Sequence, residues 1–201
     1  MNKAEVARRQ LGVALDMFLR GQDPVSVHCL AMGGGEVAEF LAEAAGGKPF
    51  KNHILDTFPD MNIRDIRVLQ RKSWNAFKHA TTQKGIDRDD ADVLEAFDPT
   101  ENEHTLLIGW WDYGAAGLPR PIEAQAFEGW YMAKYPEKAD PAFDMGPINR
   151  LFPELAGLSS GRQHARLVDV IRKAKKNGAV MNDPGTDRRT LVLPWGLSES
   201  R

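Results

Sequence analysis

The chain has 201 residues, 42% of them hydrophobic and 27% charged, with a formal net charge of -2 at pH 7. That length buries a real core and favours one domain with a small appended piece, in an ordinary soluble composition. A bilayer-spanning segment is excluded because no apolar run approaches the roughly 20 residues it needs, and one cysteine, Cys29, excludes a disulfide framework or a Cys-pair zinc site.

The start, MNKAEVARRQLG, is charged and already periodic, unlike the apolar core of a secretory signal, so a cytoplasmic location is expected. Val6, Leu11, Ala14, Leu15 and Phe18 follow helical spacing, and Gly21 with Pro24 ends a first helix over about 2–20. Pro24 opens a second helix, about 24–45, that stops at Gly46-Gly47. A brief helical turn is expected around His53–Phe58, then a helix over about 62–81 with Asn62 as its N-cap.

Beyond it, GIDRDDAD makes an acidic loop before a short helix at 91–97, and Pro99 starts a helix over about 99–116. GLPRP breaks the chain, and a helix over about 121–134 follows. Residues 137–160, rich in Pro and Gly, read as irregular with one turn of helix near Asn149–Leu155. A last long helix covers about 160–177, and Thr190–Leu193 reads as a short extended piece. The fold class expected is all-α: an antiparallel helical bundle over 1–118, with additional C-terminal helices of 119–201 packed on it and an irregular tail.

Charge is segregated along the chain. Residues 64–84 carry six bases against Asp65, residues 87–103 eight acids against Arg88, and residues 162–176 six bases against Asp169. Blocks of opposite sign are expected to pair with each other or to solvate helix faces, the alternative being an anion-binding surface.

The run MGGGEVAEF at 32–40 is no phosphate loop, since its glycines fall inside a helix and no Lys-Ser/Thr follows. Each glycine there costs up to about 1 kcal/mol relative to alanine, so close approach of a neighbouring helix is the expected reason. Glu36 beside it is read as solvated or paired, or as facing an interior polar site. The histidines (His28, His53, His79, His104, His164) are scattered over five segments. Neither His-Glu-x-x-His nor Glu-x-x-His spacing is read among them, so no metal and no cofactor is expected, a composite site from His28, His79 and His104 being the remaining geometric option. Cys29 is expected to be a small core residue, and Trp110-Trp111 and Trp130-Tyr131 to fill the core.

The stretch RKSWNAFKHA at 71–80 holds the main candidate site. Ile66, Leu69, Ser73, Ala76, Phe77 and Ala80 form one helical stripe, and Arg71, Asn75 and His79 a second, polar one flanked by Lys72 and Lys78. Arg offers a forked donor set, Asn an amide, and His a proton exchanged near neutral pH. Metal-independent RNA cleavage uses a base on the 2′-hydroxyl and a cation on the phosphorane, tasks that suit His79 and Arg71 with Asn75 positioning. Lys72, Lys78 and Arg67 are the accompanying nucleic-acid or anion contacts. The same polar stripe also reads as a hydrogen-bonded edge against another helix or a second subunit.

The run WNAFKHATT on this helix, preceded by DPVSVHCLAMGGGEVAEFL, resembles a group of bacterial all-α proteins with an Asn-Phe-Phe-Lys-His-Ala-like signature. That group is similar in outline to the HEPN superfamily, and the resemblance covers about residues 5–115. It implies a dimeric helical bundle whose active members are ribonucleases with Arg, four to six residues, then His on one helix. His79 matches that histidine; Arg71 stands seven residues away, one more than the pattern, and Lys72 has the six-residue gap with a different side chain. Two expectations follow: an RNA- or nucleotide-binding bundle, with or without metal-independent ribonuclease activity, or a non-enzymatic homodimer acting as an interaction module.

Overall fold

In the computed structural model, which describes residues 1–82, 84–139 and 143–194, Asn2 caps helix α1 (Lys3–Leu19), its side chain accepting from Glu5 N at 2.9 Å. The helix buries Ala7, Leu11, Ala14 and Leu15, the i, i+4, i+7, i+8 series of one face. Gly21, at φ 61°, turns the chain, and Asp23 caps α2 (Pro24–Ala44) by accepting from Ser26 N at 2.8 Å.

Helix α2 lies between α1 and α6 (Glu101–Ala115) and contacts both along its length. Its glycines are where the partners come close: a Cβ on Gly34 would stand 2.8 Å from Leu11 Cγ and 3.1 Å from Leu11 N. Facing it from α6, a Cβ on Gly109 would meet Leu11 Cδ2 at 2.6 Å. The neighbour-helix reason for the glycine run therefore holds at Gly34. Helices α7 (Ile122–Lys134) and α9 (Ser160–Ala174) complete the core, in which Leu11, Leu106, Trp110, Phe127, Trp130 and Leu167 are buried together. Among the described residues no helix is long and apolar enough to cross a membrane. The architecture is an all-α bundle with additional C-terminal helices.

Short elements fill the connections: α3 (Phe50–Thr57), α5 (Ala91–Glu95), α8 (Gly146–Leu151) and α10 (Gly178–Met181). Strand β1 (Arg120–Pro121) pairs in parallel with β2 (Thr186–Asp187), Arg120 opposite Thr186. The extended piece expected at Thr190–Leu193 is not a strand. Its carbonyls are instead held by Arg8, whose guanidinium donates to Leu191 O at 2.8 Å, to Thr190 O at 3.2 Å and to Asp187 Oδ2 at 2.8 Å. Arg8 is fully buried, so this strap fixes the C-terminal segment onto α1.

Helix α4 (Ile63–Lys78) is the most lightly anchored of the long helices, with only Ile66, Ser73 and Trp74 buried. Asn62 caps it, accepting from Asp65 N at 3.1 Å. It ends at Lys78, short of the expected 81, because the chain folds back on itself: Thr82 N donates to Ile86 O at 2.7 Å, Arg88 N to Ala80 O at 3.0 Å, and Gly85 turns at φ 73°. His79 consequently becomes an extended C-cap at φ -123°, ψ 115°.

Candidate functional site

A cleft of about 390 Å³ opens between α2, α4 and α6. From α2 come His28, Gly35, Glu36 and Glu39; from α6 come Glu101, His104 and Asp112; from α4 come Leu69, Arg71, Lys72 and Ser73.

His28 is 1% exposed. Its Nδ1 lies 3.1 Å from Asn102 Oδ1, and the amide is oriented by Asn102 Nδ2 donating to Pro24 O at 2.9 Å. The oxygen of Asn102 thus faces the ring, so Nδ1 is the donor and the neutral imidazole keeps a bare acceptor lone pair on Nε2. Nε2 is buried and has no hydrogen-bond partner among the described residues. Phe77 and Phe97 stand edge-on to the ring at 5.6 and 5.4 Å, and burial pushes the imidazole pKa down, against the opposing pull of Asn102.

Asp112 accepts from Phe50 N at 2.7 Å through Oδ1. Burial pushes its carboxyl up to about 7, helped by the charges of Glu39 and Glu43 and opposed by the Phe50 hydrogen bond and Lys51. Glu101 Oε2 accepts from Ser73 Oγ at 2.9 Å, tying α4 to α6. His104 Nδ1 lies 2.7 Å from Tyr131 Oη, and burial with the nearby Lys138 charge holds this imidazole below its ordinary pKa. The cleft wall therefore carries His28, Glu101, His104 and Asp112, and the Asp112 carboxyl keeps its proton through the acidic range.

The bases of α4 are distributed differently from the single stripe expected. Arg71 reaches the cleft but pairs with Glu36 at 2.7 Å, and Arg67 lies 3.7 Å from Glu39, which also binds Lys51. Lys72 lines the cleft, is exposed, and has no carboxylate within ion-pair distance among the described residues. Lys78 Nζ instead stands 4.2 Å over the Trp74 ring. Asn75 is half-buried and its carbonyl accepts from His79 N at 3.1 Å. His79 is exposed and outside the cleft lining, so Arg71 and Lys72 are brought to the cleft and His79 is not. Among the described residues no ion pair joins the basic stretch 64–84 to the acidic stretch 87–103; the basic stretch pairs with α2. Cys29, expected in the core, is half-buried.

Three floor residues were missed as a set. Glu101 and His104 form a Glu-x-x-His pair at i, i+3 on α6, against the expectation that no such spacing is present. Asp112 follows at eight further positions, where only the fold reveals its burial. The pair does not extend to a metal site: among the described residues no three His, Cys, Asp or Glu side chains are grouped so as to hold a metal ion. No protein-family model matches the chain, and no curated protein or solved structure matches it significantly, so the chemistry of the cleft carries the functional reading.

Proposed function

We propose that the α2–α4–α6 cleft binds a small nucleotide whose base carries an exocyclic amino group. The observation that carries this reading is the buried, unpartnered Nε2 of His28. An acceptor left without a donor inside a protein costs about 1–3 kcal/mol, and a ligand N–H that displaces the packing over this buried atom recovers part of that amount. Glu101 adds a second acceptor, Asp112 a carboxyl that donates its proton below about pH 7, and Lys72 at the rim a cation for a phosphate. Adenine, cytosine and guanine bring amino donors, whereas uracil brings only its ring N–H.

Pairing of Arg71 with Glu36 and of Arg67 with Glu39 favours this compact ligand over a longer RNA strand, because those bases must leave their carboxylates to reach a phosphate chain. The same pairing, with His79 at the outer end of α4, favours binding over cleavage. A cytoplasmic location accords with a single cysteine.

Calorimetric titration with AMP, CMP, GMP and UMP tests the reading. The amino-bearing nucleotides should bind more tightly than UMP, and Lys72→Gln should weaken each nucleotide while leaving its nucleoside unchanged. Absence of saturation at millimolar AMP, CMP and GMP would contradict it.

A second reading, homodimerisation as an interaction module, is favoured by Phe40 and Val68, which are 59% and 62% exposed on α2 and α4. Sedimentation equilibrium separates it from the first: a dimer that Phe40→Glu dissociates supports it, and a native chain that is monomeric at tens of micromolar ends it.

A further inference from the structure

On the opposite side of α6 from His28, a second cavity of about 510 Å³ is walled by α3, α6, α7 and α8. Its lining is mostly rings and aliphatic side chains: Phe50, Trp111, Tyr131 and Tyr135 with Leu107 and Met132. The tyrosine hydroxyls are already engaged away from it. Tyr135 Oη donates to Glu103 Oε2 at 2.9 Å, and Tyr131 Oη lies 2.7 Å from His104 Nδ1, neither Glu103 nor His104 being part of the lining. What the two tyrosines offer the cavity is therefore ring surface. Trp111 sits edge-to-face with Phe50 at 5.7 Å and tilted 30° to His53 at 6.1 Å, so the aromatic wall continues onto α3. At the rim Phe143 and Leu151 are 47% and 55% exposed, apolar surface that a ligand would cover.

The charges around this wall are unequal in kind. Arg120 is matched by Glu128, with which it forms a close ion pair. Lys138 has no carboxylate within ion-pair distance among the described residues; its Nζ stands 4.3 Å over the Tyr135 ring and 5.7 Å from that of Tyr131, with Tyr131 Oη a distant acceptor at 3.5 Å. One unmatched cation thus stands over aromatic rings at the edge of an apolar cavity of ligand size. Flat rings stack or meet edge-on with such a wall, and a single negative group answers the lysine.

We infer that this cavity, bounded by Trp111, Tyr131, Tyr135 and Met132 with Lys138 at its edge, is a second binding site, for a planar aromatic carboxylate. The ring system lies among the aromatic side chains and the carboxylate accepts from Lys138 Nζ. This site shares no lining residue with the α2–α4–α6 cleft, and it stands or falls independently of what that cleft binds.

The test uses 2-naphthoate and, as its neutral counterpart, 2-naphthylmethanol, titrated into the full chain labelled at the methionine methyls, with Met132 assigned by Met132→Leu. The expected result is a saturable shift of the Met132 methyl with both compounds. Lys138→Gln should weaken 2-naphthoate by roughly fivefold and leave 2-naphthylmethanol unchanged. Lys138 is exposed, so this variant keeps the fold. A Met132 methyl that stays in place up to millimolar naphthoate overturns the site. Equal affinity of 2-naphthoate for the native chain and Lys138→Gln overturns the carboxylate assignment.

Discussion

Asn102 Oδ1 accepts from His28 Nδ1 at 3.1 Å while the amide nitrogen of Asn102 donates to Pro24 O at 2.9 Å, so one α6 side chain both orients the histidine of α2 and ties down the start of that helix. Asn102 is 2% exposed, and truncation leaves the His28 donor and the Pro24 carbonyl without it. Asn102→Ala should cost about 2–3 kcal/mol in urea unfolding. It should also release the ring from the Nδ1–H tautomer.

Asp112 makes stability depend on pH in a defined direction. Its folded pKa, about 7, lies above the ordinary 3.8. The folded state therefore holds this proton more tightly than the unfolded chain, a contribution fully present below about pH 4 and lost as pH rises to about 7. The loss amounts to at most roughly 4 kcal/mol. Asp112→Asn cannot ionise and can still accept from Phe50 N. The variant should gain on the native chain steadily between pH 4 and 7 in denaturation series, with no further change above pH 8. A pH-independent difference would show that the carboxyl titrates normally.

The C-terminal strap depends on a buried ion pair. Burial works against ionisation of Asp187, yet hydrogen bonds from Arg189 and Arg8 outweigh it and hold its pKa below the usual range. Asp187→Ala strands the Arg8 guanidinium, which has no exposed surface. The expected loss is about 3–5 kcal/mol, and amide exchange should quicken across 186–193 before the rest of the chain.

Adjacent glycines of α2 should respond in opposite directions. A Cβ on Gly34 meets Leu11 Cγ at 2.8 Å and the Leu11 backbone nitrogen at 3.1 Å, whereas one on Gly33 meets only the flexible Gln10 side chain, at 3.4 Å. Gly34→Ala should destabilise by about 1–3 kcal/mol. Gly33→Ala should be neutral or stabilise by up to about 1 kcal/mol through helix propensity. Thermal melts of the two variants read the contrast.

Helical periodicity made the bundle legible, because α1, α2 and α9 each bury one regular stripe and carry explicit stop signals such as Gly21 and Gly46. The end of α4 was less so: the hairpin between Thr81 and Asp87 is a pairing between loop residues, with no periodic signature to announce it. That early end separates His79 from Arg71, so a stripe drawn on an ideal helix overreached by its last residue. Part of the cleft was also readable. Glu36 was read as solvated or paired, and it pairs with Arg71 at the cleft, while Glu101 with His104 shows its spacing openly. The acceptor role of His28 was not, since it depends on which atom of Asn102, 74 positions away, faces the ring. The ion pairs of α4 with α2 were equally hidden, because local charge blocks say nothing about which helices become neighbours.

The most direct test of the nucleotide reading is a two-dimensional ¹⁵N–¹H spectrum of the imidazoles, recorded from pH 5 to 8 with and without AMP, His28 being assigned by His28→Gln. In the free chain His28 should hold the Nδ1–H tautomer while neutral and protonate at lower pH than an ordinary imidazole, because burial pushes its pKa down. Its Nε2 resonance should move saturably as AMP is added, while that of exposed His79 stays in place. A His28 Nε2 signal unmoved by saturating AMP, CMP and GMP would contradict the assignment of this cleft to a nucleotide.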